Sequence, residues 1–137
     1  MPARRMLKKV QLSRRSLRVL PMLAVMGGIF FLSHLSGSSL PLPLGHGLDK
    51  LLHALAYGVL AATVIYADPA LTGRPAGGFS GVMVVLVCVV YGVGDEFHQS
   101  FIPARTASLC DLLADAVGAF CLVVVAQRRY RRQAISR

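Results

Sequence analysis

The chain has 137 residues, 55% of them hydrophobic, with a mean hydropathy of +0.60 and a formal charge of +9. That is too apolar for a soluble domain of this size and points to a membrane protein. Twelve of the 15 Lys and Arg residues sit in two terminal clusters with no aromatic-and-basic motif, so nucleic acid is not an expected partner.

The basic residues between Arg4 and Arg18 open the chain. Met6, Val10 and Leu17 fall near one face of a possible helix, so residues 1–18 have two readings. One is a helix lying on the anionic inner leaflet, the other a topology signal with no further role. Four apolar runs follow, Val19–Leu35, Leu51–Ala67, Phe79–Gly94 and Leu109–Ala126. Each is long enough to cross about 30 Å of hydrocarbon at roughly 1.5 Å per residue. The first run also reads as a signal peptide, although no clear A-x-A site follows it. Ser36–Leu48 and Asp68–Gly78, rich in Pro, Gly and Ser, are expected loops, as is Phe97–Thr106 with Pro103 as its breaker. Arg128, Arg129, Arg131, Arg132 and Arg137 fill a basic tail, 127–137. The expected fold class is all-α, an integral membrane bundle of four transmembrane helices over 19–126. The positive-inside rule places both termini in the cytoplasm and the protein in the cytoplasmic membrane. Cys88, Cys110 and Cys121 have no CxxC spacing and are expected as buried thiols. Ala54, Gly58 and Ala62, with Gly92, Gly94 and Gly118, permit close helix approach.

Five of the six acidic residues interrupt this pattern. Asp49, Asp95, Glu96, Asp111 and Asp115 sit at the edges of the apolar runs or inside them. Lys50, His53, Tyr57, His98, Gln99 and Arg105 accompany them. A carboxylate at hydrocarbon depth costs about 2.5–3.5 kcal/mol, so such residues turn inward and find partners. The expected topology collects all of them near the outer face. Asp49, His53 and Tyr57 share one face of the second span, and Ser108, Asp111, Asp115 and Gly118 one stripe of the fourth. Asp111 and Asp115 repel if both are ionised, as do Asp95 and Glu96 if turned the same way. Protonated His53 and His98, protonated acids, or a bound cation would each relieve that repulsion. The first two supply acid–base groups, the third a metal site; a purely structural ion-pair network also remains open. The segment Asp95–Gln99 lacks the HExxH spacing, so no metal ligand is assigned and the cofactor stays unknown.

Three segments carry a resemblance: Asp49–Leu60 (DKLLHALAYGVL), Tyr91–Thr106 (YGVGDEFHQSFIPART) and Ser108–Phe120 (SLCDLLADAVGAF). Together they resemble the VanZ-like family of small bacterial membrane proteins. The match covers the second to fourth spans; the first span and the termini agree only in hydropathy and charge. The resemblance implies a four-helix integral membrane protein. The founding member of that family is associated with resistance to the glycopeptide teicoplanin, which does not define a reaction. Asp115 stands where the family more often has Asn, so a role is not carried over to it.

The leading expectation is a protein that binds or processes a lipid-linked or cell-envelope substrate. Glu96 or Asp95 would act as acid or base, and His53 or His98 as proton shuttle. Arg105 would contact an anion and Asp111 orient a cationic partner. Asp49, Lys50, Tyr57, Gln99 and Asp115 complete the candidate binding set. The alternative, from a different class, is a non-catalytic scaffold or small transporter subunit. No oligomeric state is read from the sequence.

Overall fold

The computed structural model describes residues 2–35, 46–68 and 78–136, with side-chain environments for 17–35, 47–68 and 80–136. Four α-helices make up the bundle: α1 Pro2–His34, α2 His46–Ala67, α3 Gly78–Gln99 and α4 Leu109–Ile135. There is no strand among the described residues. Each helix contains a stretch long and apolar enough to cross a bilayer: Leu17–His34, Gly47–Ala67, Ser80–Gln99 and Leu109–Ile135. The basic first segment is continuous with α1, and α4 runs on through most of the basic tail. The central parts of the first two expected loops, with Arg74, lie outside the described residues.

Two boundaries differ from expectation. Phe97, His98 and Gln99 form the last turn of α3 rather than the start of a loop. Nothing before Pro103 breaks the helix, and the Ser100 amide still donates to the Glu96 carbonyl at 3.1 Å. The second helix begins at His46, which puts Asp49 on its first turn and Lys50 directly after it.

α2 packs most extensively on α4, α3 leans on α4, and α1 rests on α2 and α3. Glycine sets the central contact. A Cβ on Gly118 would overlap the Ala54 backbone, and one on Gly58 would stand 3.5 Å from the Gly118 carbonyl oxygen. Such close approach is how small residues associate helices where lipid removes any hydrophobic drive. Ala62 and Gly94, by contrast, face outward and take no part in it.

The core joins Tyr57, Leu60 and Val64 of α2 to Val84 and Cys88 of α3 and Val123 of α4. The outer surface is apolar: Phe31, Val90 and Leu109 are 63%, 70% and 80% exposed. Surface of that kind needs hydrocarbon as its solvent. Of the cysteines only Cys88 is buried. Cys110 and Cys121, expected inside, stand on the same outward side of α4 as Leu113, Val117 and Phe120, because thiols are small and apolar enough for lipid.

Candidate functional site

The alternating helix directions bring the C-terminal ends of α1 and α3 beside the N-terminal ends of α2 and α4. Facing polar stripes on α2 and α4 lock together there. Lys50 Nζ donates to Asp111 Oδ1 at 2.8 Å, and His53 Nδ1 lies 3.0 Å from Asp115 Oδ1. These are successive turns of both helices, so i, i+3 spacing on α2 and i, i+4 spacing on α4 align the two pairs. At the opposite end the Arg18 guanidinium lies 5.9 Å from the Tyr66 ring centre.

Asp95 and Glu96 are neighbours in sequence yet serve different helices, since consecutive helical side chains diverge by about 100°. Asp95 turns to α1, where its Oδ2 accepts from Ser33 Oγ at 2.7 Å and from Gln99 Nε2 at 3.0 Å. Gln99 Nε2 also donates to Ser33 Oγ at 3.2 Å. Glu96 turns to α4, where its Oε2 accepts from the Ser108 amide at 2.6 Å. Ser108 is the N-cap of α4, and its hydroxyl accepts from the Asp111 amide at 3.4 Å. The feared repulsion between Asp95 and Glu96 is thereby avoided.

A cavity of about 210 Å³ opens among α1, α2 and α3, with Ser33, Asp49, His53, Asp95, Gln99 and Arg105 on its walls. Tyr57 closes its inner part. Four buried side-chain oxygens have no hydrogen-bond partner among the described residues: Tyr57 Oη, Asp95 Oδ1, Glu96 Oε1 and Asp115 Oδ2. Tyr57 and Asp115 are each only 1% exposed, Asp95 5% and Glu96 7%. One such orphan costs about 1–3 kcal/mol, so each calls for a ligand, a proton or an ordered water. Tyr57 and Asp95 border the cavity, while Glu96 and Asp115 group with His53. Gly92 makes room for this group: a Cβ there would stand 3.0 Å from Asp115 Oδ2 and 3.4 Å from the Tyr57 ring.

Arg105 reaches the site from the α3–α4 connection. Its amide donates to the Ile102 carbonyl at 3.1 Å, closing a turn with Pro103 and Ala104 at the centre. Ala104 has φ 61°, the left-handed conformation that a proline-led turn of this type usually gives to glycine. The guanidinium donates through Nε to Leu35 O and through Nη2 to Leu32 O, both at 3.2 Å. It thus caps two carbonyls at the end of α1 and also borders the cavity.

His98 stands apart from His53. Its Nε2 is 3.3 Å from His34 Nδ1, and its ring centre lies 4.5 Å from that of Phe30. Three helices do what one helix does not, however. A ring nitrogen of His53 and one carboxylate oxygen each of Glu96 and Asp115 lie within 4.8 Å of one another.

Ser33 and His34 escape sequence reasoning. Ser33 is a lone hydroxyl ending an apolar run, and its only signal is its position one turn from the expected outer end of that run. Ser108 was legible as part of the α4 stripe, but not as the contact of Glu96.

Neither the curated proteins nor the solved structures contain a significant match to the chain. The sequence model of the family described as VanZ/LLP1 matches residues 3–130, reaching all four helices and each polar segment described above. The chain is a multi-pass membrane protein and belongs to the VanZ/LLP1 family.

Proposed function

We propose that the protein recognises the polar head of a lipid-linked, cell-envelope substrate at the outer leaflet of the bacterial cytoplasmic membrane. The observation that carries this reading is the cavity at the polar end of the bundle, bordered by buried oxygens that lack partners. Unpartnered carboxylate oxygens call for donors, so the ligand part that enters bears hydroxyl or ammonium groups. Arg105 adds positive charge at the cavity wall, suited to a phosphate or carboxylate on the same ligand. Basic residues at both termini support a cytoplasmic placement of those ends and an outward-facing cavity. In this arrangement Glu96 and the His53–Asp115 pair are the groups for moving a proton, with Asp115 fixing the imidazole orientation. Asp95, with Ser33 and Gln99, forms the wall that reads the headgroup.

The test is the lipid that accompanies the purified protein, identified by mass spectrometry. Wild type should enrich one polar lipid class over bulk membrane lipid. Asp95→Asn and Glu96→Gln should lose that enrichment at unchanged abundance, because each amide oxygen still accepts the bonds now made to Ser33 or Ser108. No enrichment in wild type refutes the reading.

A scaffold role has its own support. Lys50–Asp111, Glu96–Ser108 and Arg105–Leu35 each tie two helices together. Under that reading the amide variants leave the accompanying lipids unchanged. Passage of an ion or solute is less well supported. Deeper in the bundle the Thr63 hydroxyl donates to its own helix at Leu60, and the Tyr91 hydroxyl to Met26.

A further inference from the structure

We infer that His53, Glu96 and Asp115 form a binding site for a divalent first-row metal ion, Zn²⁺ or Mn²⁺, between α2, α3 and α4. Ligand atoms of these residues already lie within 4.8 Å of one another. Around a tetrahedral Zn²⁺ ion with bonds of about 2.0–2.2 Å, two ligands stand roughly 3.3–3.6 Å apart, so side-chain movements of about 1 Å close the set. One imidazole with two carboxylates suits an ion that accepts both nitrogen and oxygen donors.

A second observation points the same way. Glu96 Oε1 and Asp115 Oδ2 are both buried and both lack a partner among the described residues. Their other oxygens are committed, Oε2 of Glu96 to the Ser108 amide and Oδ1 of Asp115 to His53. Each acid therefore presents one free oxygen, and for Glu96 the other is held by the Ser108 amide, a group outside the ligand set of the kind that orients metal ligands. The charge balance agrees. Lys50 is spent on Asp111 and Arg105 on the end of α1, so among the described residues no Lys or Arg is paired with Glu96 or Asp115. A dication offsets two carboxylates that would otherwise be stranded in a bilayer-spanning bundle. Three protein ligands leave a coordination position open, and His53 also lines the cavity.

The site shares residues with the proposed headgroup site but does not rest on that reading, because metal content is measured without lipid. The experiment uses the full chain in detergent, stripped with a chelator and then titrated calorimetrically with Zn²⁺ or Mn²⁺ alone. The expected result is one ion per chain. Affinity should fall at least about 10-fold in Glu96→Gln and Asp115→Asn, since losing a ligand costs no less than losing a supporting group. It should hold in His34→Gln, which dismantles the exposed His34–His98 pair as a rival binding point. Binding well below one ion per wild-type chain overturns the site. So does unchanged affinity in amide variants of wild-type helicity, or loss of binding in His34→Gln. If an amide variant loses helicity, the wild-type and His34→Gln stoichiometries decide: one ion in both supports the site.

Discussion

Gly118 and Gly94 both lie on membrane helices, yet only one of them has work to do. An added methyl at Gly118 meets the Ala54 backbone, which has no rotamer with which to yield, while at Gly94 it meets nothing within 4 Å. Gly118→Ala should therefore destabilise the bundle by about 3 kcal/mol, the upper end of overpacking costs. Gly94→Ala should change stability by no more than about 1 kcal/mol. Thermal unfolding of both variants in detergent checks the contrast; equal losses would show that the α2–α4 contact is looser than described. The small-residue pattern was legible in the sequence, but its members were not separable there. In lipid the inner and outer faces of a helix are both apolar, so hydropathy does not report which way a glycine points. Only polar residues betray the inward face, which is why Asp49, His53, Tyr57, Asp111 and Asp115 were found by spacing alone. Ser33, which pairs with Asp95, was not, because a hydroxyl is cheap enough in an apolar run to carry no warning.

The end of α3 and the turn after it decide where the chemistry sits. Because the helix continues to Gln99, Asp95 and Glu96 keep the helical divergence that sends one to α1 and the other to α4. Reading a loop from Phe97 onward missed this, since no breaker before Pro103 marks the true end. Arg105 shows the same limit at the scale of an element. Its charge and its place in the P-x-R segment were visible, whereas its bonds to Leu32 and Leu35 depend on where α1 stops. Arg105→Ala should lower stability by about 1.5–3 kcal/mol, the worth of hydrogen bonds made by a charged donor. A thermal melt measures it, and a melt identical to wild type would mean that the cap contributes nothing. Lost lipid enrichment in Arg105→Ala is accordingly weak support for substrate contact, and the isosteric changes at Asp95 and Glu96 are the sharper probes.

At the scale of the whole molecule, four apolar helices with charged termini were readable from composition, and the shared depth of the acids followed from antiparallel order. The contribution of α1 was not, since its polar groups are few and none of the three motif segments lies on it. The central claim is that the polar ends of all four helices open together on the non-cytosolic face. Single cysteines at Gly47→Cys and Ala107→Cys, both exposed, report that face, and Ser136→Cys reports the tail. In cells whose protein otherwise lacks cysteine, an impermeant maleimide should label the first two from outside and Ser136→Cys only after permeabilisation. Labelling of Gly47→Cys and Ala107→Cys from opposite sides, or of both from the cytoplasm alone, would contradict it.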